Sequence, residues 1–172
     1  MADKHPVRGV LAGVAGGLVA AWVMNVWSEG PGSALSKRLE TPEEQKQLSE
    51  QSDGEDATMK AADAIFSAAE GGQHLTHEQR QTGGPIVHYA YGALAGGLYG
   101  GLAEYLDVVK SGFGTTYGTA LFVFGDLLAV PALHLSRPLS EYPAASYAGP
   151  FTAHLVYGAS TELVRRIVRL VL

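Results

Sequence analysis

Ionisable side chains lie within four otherwise apolar stretches of this 172-residue chain, and these are the residues whose types could do chemistry. Carboxylates and imidazoles relay protons, bind metals or haem, and join helices through hydrogen bonds and ion pairs. The intramembrane polar candidates are Asn25, His88, Glu104, Asp126, His134, His154, Glu162, Arg165 and Arg166. Because burying such groups in an apolar medium is costly, we expect them to face the protein interior.

The spacing of these residues predicts some of their partners. Glu162 precedes Arg166 by one helical turn, the favourable order for an ion pair within a helix. His88 and His154 begin two stretches that enter from the same side, so they are weak candidates for paired ligands of a metal or haem. No haem-attachment motif accompanies them, and we predict no cofactor and no metal site.

No catalytic constellation stands out. The chain has no cysteine, which excludes Cys-ligated zinc, iron–sulfur clusters and thiol nucleophiles. Ser160 and Thr161 lie near His154 and Glu162 in the sequence, but there is no G-x-S-x-G elbow. We therefore predict that the protein is not an enzyme.

The apolar stretches predict membrane-spanning helices at residues 9–27, 85–106, 112–135 and 148–172. The first spans about 28 Å at about 1.5 Å per residue, close to a bilayer core. A signal peptide is the alternative for this stretch, because Lys4 and Arg8 precede it, but Trp22 and Trp27 favour a retained helix. A soluble helical bundle is the alternative for the whole chain. It is disfavoured because 22 glycines would weaken water-soluble helices.

Small residues spaced four apart form a ridge along each predicted span, and such ridges let membrane helices pack closely. The helix-packing glycines are Gly13, Gly17, Gly92, Gly96, Gly100, Gly114, Gly118 and Gly158. An internal repeat is a further interpretation, since the pattern H-x-x-Y-G-A occurs at His88 and again at His154. It would make the bundle two copies of a helix pair in parallel orientation. Chance is the alternative for so short a match.

The basic residues predict the orientation, because cytoplasmic loops are enriched in Lys and Arg. Residues 1–8, the loop 107–111 and the basic end of the fourth span fall on one side, so both termini are expected in the cytoplasm. Residues 28–84 and the loop 136–147 are then outside. The longer segment holds eleven acidic against five basic residues, and its helix starts at Thr41 and Asp56 predict an acidic helical segment. A short turn is expected over residues 76–81.

Several of these blocks resemble the YagU-like family of bacterial inner-membrane proteins. The similar blocks are the Gly-rich first span followed by Glu29, the pair His88 and Glu104, Pro131-Ala-Leu-His-Leu, and His154-Leu-Val-Tyr-Gly-Ala-Ser-Thr-Glu162 followed by Arg165, Arg166 and Arg169. The similarity covers the four spans and not the acidic segment. It implies a multi-pass protein of the bacterial inner (plasma) membrane, with no established reaction or cofactor.

The sequence thus predicts an all-α, four-span transmembrane bundle with a helical extramembrane segment. Its expected role is a structural or accessory membrane component. The alternatives are a proton-linked channel or transporter that uses the histidines and carboxylates, and a haem- or metal-binding protein. The expected partners are the lipid bilayer and a second copy or another membrane protein. A net charge of −5 without a basic face argues against nucleic acid.

Overall fold

The computed structural model describes residues 5–172, and this part of the chain is helical and contains no strand. Its helices are α1 (Pro6–Leu39), α2 (Pro42–Gln51), α3 (Ala57–Ala69), α4 (His77–Ala103), α5 (residues 115–132) and α6 (Ala148–Arg169). Short 3₁₀ segments and loops join the later helices, and the longest of them, Asp107–Gly114, is interrupted by non-helical backbone at residues 111–113. The first half of the predicted cytoplasmic N-terminus, residues 1–4, lies outside the described residues.

Two helices extend beyond the predicted spans. Helix α1 continues past residue 27 through a π-helical turn at Ser28–Gly32, so the start of the predicted outer segment prolongs the first helix. Helix α4 begins at His77, because a capping box between Thr76 and Gln79 starts it well before the predicted span at residue 85. The turn expected over residues 76–81 is therefore wrong, since these residues form the first turns of α4.

The two short helices between α1 and α4 begin where the sequence predicted. The Thr41 hydroxyl accepts from the Glu44 amide, and the Glu44 carboxylate accepts from the Thr41 amide, which completes a capping box. The Asp56 carboxylate caps α3 by accepting from the amides of Thr58 and Met59. These side chains satisfy amide groups that the first helical turn leaves without partners.

Glycine lets α1 and α4 pack with their backbones in contact. A Cβ atom added at Gly13 would overlap the carbonyl oxygen of Gly96, and one added at Gly17 would overlap that of Gly92. Gly100 lies against Gly9 in the same way. Any larger side chain on this ridge would push the helices apart.

Helices α5 and α6 pack in a similar manner. Cβ atoms added at Gly114 and Gly118 would overlap the carbonyl oxygens of Gly158 and His154. If the two helix pairs are aligned as the repeat suggests, Gly17 and Gly92 correspond to Gly118 and Gly158, which also lie against each other. The repeat itself stays a prediction.

Large apolar side chains lie mainly on the outside of the structure. The buried core consists mostly of glycine, alanine and tyrosine. On α4, by contrast, Leu94 is 74% exposed and Leu98 is 58% exposed. Helices α1, α5 and α6 also expose large apolar residues, among them Leu18, Trp22, Phe124, Leu128, Leu163 and Ile167. This distribution is the reverse of that in a water-soluble domain.

Two helical stretches are long and apolar enough to cross a membrane, namely Pro6–Leu39 and Asp107–Ala132. Helices α4 and α6 have 27 and 22 residues, which correspond to about 40 Å and 33 Å. They are long enough to span, but they are less uniformly apolar. The all-helical architecture is thus established, and the four-span arrangement is considered below as a proposal.

Candidate functional site

The polar residues separate into a cluster at one end of the bundle and a cavity at the other. The cluster centres on Glu162, whose side chain is fully buried. It accepts from Tyr99 Oη at 2.7 Å, from Arg165 Nε at 2.7 Å and Nη2 at 3.0 Å, and from Arg166 Nε at 2.7 Å. We call these four residues the Glu162 cluster. Its arrangement is that of a structural contact, because both carboxylate oxygens are engaged by donors.

Glu104 joins three chain segments beside this cluster. Its carboxylate accepts from Arg169 Nε at 3.0 Å and Nη2 at 3.2 Å, and from the His5 amide at 3.1 Å. The start of α1 and the ends of α4 and α6 therefore meet at one end of the molecule. Glu104 and Glu162 lie in neighbouring ion pairs, and neither lines the cavity described below.

Three tyrosines occupy the interior between the two polar regions. The hydroxyl of Tyr157 donates to the carbonyl of Gly92 at 2.6 Å, and that of Tyr117 donates to the carbonyl of Ala95 at 2.8 Å. The rings of Tyr99 and Tyr117 are in contact, with centroids 4.9 Å apart. Because α4 and α5 are bridged here by tyrosine side chains rather than by glycine contacts, a gap remains between them farther along the bundle.

This gap forms the Asp126 cavity, which has a volume of about 620 Å³. Polar side chains from five helices or helix caps line it, and they are Asn25, Glu29, Asp56, Thr58, His88, Tyr91, Asp126, His154 and Tyr157. Apolar side chains complete the walls, including Met24, Leu121, Val130 and Leu133. The structure thus brings together Asn25, His88, Asp126 and His154, four of the predicted polar residues, in one cavity.

Two histidines line this cavity with defined tautomers in their neutral form. His154 Nδ1 lies 2.9 Å from the Pro150 carbonyl, and His88 Nε2 lies 3.3 Å from the Ala21 carbonyl. A carbonyl only accepts, so each of these nitrogens must be the donor. The remaining nitrogen of each neutral ring is then an acceptor. His154 Nε2 faces Asp126 Oδ1 at 3.6 Å, which is beyond ordinary hydrogen-bond length.

Two π-helical segments border the cavity. Glu29 belongs to the turn at Ser28–Gly32, and Asp126 belongs to the longer π-helical segment Phe122–Ala129 within α5. Such segments are rare and occur frequently at functional sites, because they displace side chains from the regular helical positions.

The acidic segment covers one side of the cavity. Helix α3 docks on α4, with Met59 against Gly84 and Ala62 against Gly83. This docking places Asp56 and Ala61 in the cavity wall. The segment is therefore more than a connection between two helices, because it forms part of the site.

His134 is separate from the other predicted residues. It lies just after α5 with a positive φ of 58°, and it lines a second, more polar cavity of about 510 Å³ beside Lys60, Asp63, His74 and Arg80. We expected His134 to face the protein interior with the other polar candidates, but the structure places it at an exposed position. The chain turns back after Pro131 and carries His134 to the outside of the bundle.

Sequence reasoning missed several residues of these sites. Tyr91 and Tyr157 are the tyrosines of the two H-x-x-Y-G-A motifs, so that pattern could have identified them. Tyr99 carries no comparable signal, because its partner Glu162 is far away in the sequence. Asp56 was predicted only as a helix start, because the other residues of the cavity that it lines are distant in the sequence.

The geometry gives little support to a metal or haem site. Within residues 5–172, no group of three or more His, Asp or Glu side chains is placed to hold a metal ion. The weak candidates His88 and His154 each use one ring nitrogen to bond a backbone carbonyl.

Comparisons with known proteins provide no further assignment. No family model, no curated protein and no solved structure matches the chain. The resemblance to the YagU-like family therefore rests on the sequence motifs alone.

Proposed function

We propose that this chain is a four-span integral membrane protein that acts as a structural or accessory component of the bilayer. The observation that carries this proposal is the reversed distribution of side chains. Glycines, tyrosines and ion pairs are buried, whereas large apolar residues face outwards on all four long helices. Lipid is the environment in which such a surface is stable, because water would be ordered around it.

Charge and helix direction support one orientation. The start of α1 and the ends of α4 and α6 meet at Glu104, and the basic residues Arg8, Lys110, Arg165, Arg166 and Arg169 belong to this end or to the adjoining loop. The positive-inside rule then assigns this end to the cytoplasm. Both termini are cytoplasmic in this proposal, and the acidic segment is on the opposite side. Together with the family resemblance, this favours the bacterial inner membrane.

In this proposal, the cytoplasmic-end polar residues maintain one helix packing. Glu162 and Glu104 are neutralised by Arg165, Arg166 and Arg169, which leaves no carboxylate of this cluster free for proton relay. Ion pairs of this kind are costly when one partner is missing, so they favour a single arrangement of α4 and α6. The bilayer is the principal partner, and the exposed apolar faces offer contacts to a second copy or another membrane helix.

A proton-linked channel or transporter remains the second hypothesis, favoured by the cavity histidines and Asp126. A continuous path would have to cross the layer of Tyr99, Tyr117 and Tyr157, whose hydroxyls already have hydrogen-bond partners. The geometry therefore supports the structural role better.

Cysteine labelling tests the four-span proposal directly, because the chain has no native cysteine. Single variants Ser49→Cys in α2, Ser140→Cys between α5 and α6, and Ser111→Cys between α4 and α5 introduce exposed thiols. A membrane-impermeant maleimide added to intact cells (spheroplasts for a Gram-negative host) is expected to label Ser49→Cys and Ser140→Cys. Ser111→Cys should react only after the membrane is permeabilised.

A denatured sample of each variant is the control, since all three thiols should then react equally. Equal labelling of the three variants in intact cells would contradict the topology. Recovery of the protein in the soluble fraction without detergent would contradict membrane integration itself.

A further inference from the structure

The Asp126 cavity has the charge pattern of a cation site. Three carboxylates line it, from Glu29, Asp56 and Asp126, and its described lining contains no lysine or arginine. One oxygen of Asp56 already accepts from the start of α3. The other carboxylates have no arginine partner of the kind that neutralises Glu162. A cavity with one sign of charge and low-dielectric walls concentrates ligands of the opposite sign.

Two hydrogen-bond acceptors of the cavity face each other without a donor between them. His154 Nε2 and Asp126 Oδ1 face each other at 3.6 Å. Both are acceptors when Asp126 is ionised and the His154 proton stays on the Nδ1 that bonds Pro150. The His154 side chain is only 8% exposed and the Asp126 side chain is 40% exposed, so both acceptors can be reached only from the cavity that they line. Two facing acceptors are favourable only if an N–H or O–H group lies between or beside them.

The remainder of the cavity defines the rest of the ligand. Met24, Leu121 and Leu133 provide an apolar wall next to the acceptors. A volume of about 620 Å³ is in the range of small-molecule sites, which typically combine apolar walls with a few placed polar groups.

We propose that the Asp126 cavity binds a primary ammonium group carried on an apolar body. The ammonium supplies three N–H donors, and Asp126 and His154 Nε2 are its acceptors. Glu29 and Asp56 contribute negative potential at the rim. A water-soluble amine and the aminoethyl headgroup of a lipid share this chemistry. The assignment goes beyond a structural role, because it gives the cavity a ligand.

Binding of phenethylamine to the full chain in phosphatidylcholine nanodiscs tests the proposal, with empty nanodiscs as the reference for partitioning. The unmodified protein should bind phenethylamine about ten-fold or more tightly than 2-phenylethanol, which has no charge, because a charge-assisted hydrogen bond contributes more than 1 kcal/mol. It should also prefer phenethylamine to its N,N,N-trimethyl analogue, which has no N–H group. Equal affinity for the three compounds would overturn the proposal.

Variants locate the site. Asp126→Asn should weaken phenethylamine binding about ten-fold or more, and Glu43→Gln on the exposed surface of α2 is the matched control. Ala61→Trp should block the cavity without changing charge, whereas Ala69→Trp at the exposed end of α3 should not. Unchanged binding in both cavity variants would overturn the assignment. The ligand series on the unmodified protein remains decisive if either variant fails to fold.

Adding phosphatidylethanolamine to the nanodiscs distinguishes the two sources of the ammonium group, a lipid headgroup and a water-soluble amine. Competition with phenethylamine would identify a lipid headgroup as an occupant, and its absence would identify a soluble amine. A second proton on His154 would instead satisfy the facing acceptors as an ion pair. In that case phenethylamine would not bind, and the proposal would fail.

Discussion

At the scale of single residues, the two groups of carboxylates differ in what surrounds them. Glu162 is enclosed by Tyr99 and two arginines, so its charge is compensated inside the fold. Asp126 faces a histidine at longer range and opens into a cavity. The first environment stabilises a packing, whereas the second leaves an acceptor for a ligand.

Glu162→Gln should destabilise the protein by about 3 kcal/mol, because it leaves the buried Arg165 without its carboxylate. The value is at the low end for a buried pair, since the Arg166 side chain is half exposed and can be hydrated. Reversible unfolding in mixed detergent micelles measures the change in free energy. Glu43→Gln, on the surface of α2, is the control and should stay near the wild-type value. A Glu162→Gln protein of wild-type stability would contradict the structural role of the cluster.

Asp63 provides a pH-dependent contact between α3 and the loop that precedes α4. Its carboxylate accepts from His74 Nδ1 at 2.9 Å and from the Leu75 amide at 2.7 Å, and these bonds lower its pKa below the usual value. The pKa is lowered in the folded state. The contact is therefore complete above the ordinary carboxylate pKa and is lost as the pH falls through the lowered one.

The pKa of Asp63 is measured by following the ¹³C chemical shift of its side-chain carboxyl carbon against pH. We expect His74→Ala to raise this pKa towards the ordinary value, because the imidazole contact is removed. His77→Ala is the matched control, because His77 contacts Glu55 instead. If His74→Ala left the pKa of Asp63 unchanged, the imidazole contact would not be formed in solution.

At the scale of helices, backbone contact through glycine determines how closely the elements approach. The α1–α4 and α5–α6 pairs both depend on positions where any Cβ atom would overlap a carbonyl oxygen of the neighbouring helix. By contrast, α4 and α5 are separated by tyrosine rings, and the cavity lies in that gap. Close packing in some helix pairs and a spacer in another together produce a site.

Gly13→Ala should destabilise the protein by about 2 kcal/mol, because the added Cβ forces α1 away from Gly96 and overpacking of this size is typical. Gly30→Ala is the matched control, since nothing other than its chain neighbours lies within 4 Å of its added Cβ atom. Its stability should change by less than about 1 kcal/mol, because the gain in helix propensity is opposed by Pro31, which disfavours a helical conformation at the preceding residue. Unfolding in mixed micelles compares the two variants. Equal effects at both positions would mean that the α1–α4 contact does not limit the packing.

At the scale of the whole molecule, an apolar exterior surrounds a core of small and polar residues, and the two polar regions lie at opposite ends. The cluster at the Glu162 end connects α4 with α6, while Glu104 also holds the start of α1. The other end is covered by α3, which contributes to the cavity wall. The packing is therefore fixed at one end and leaves room for a ligand at the other. The cysteine-labelling experiment tests which end of the bundle faces the cytoplasm and which end faces the outside.

The sequence by itself determined the features that depend on local interactions. The helices, the caps at Thr41 and Asp56, and the pairing of Glu162 with Arg166 follow from residues within four positions of each other. Only the tertiary structure decided which distant residues meet, because the crossing and rotation of whole helices control those contacts. Three features are of this kind: the hydrogen bond between Tyr99 and Glu162, the place of Asp56 in the wall of the Asp126 cavity, and the position of His134 outside that cavity.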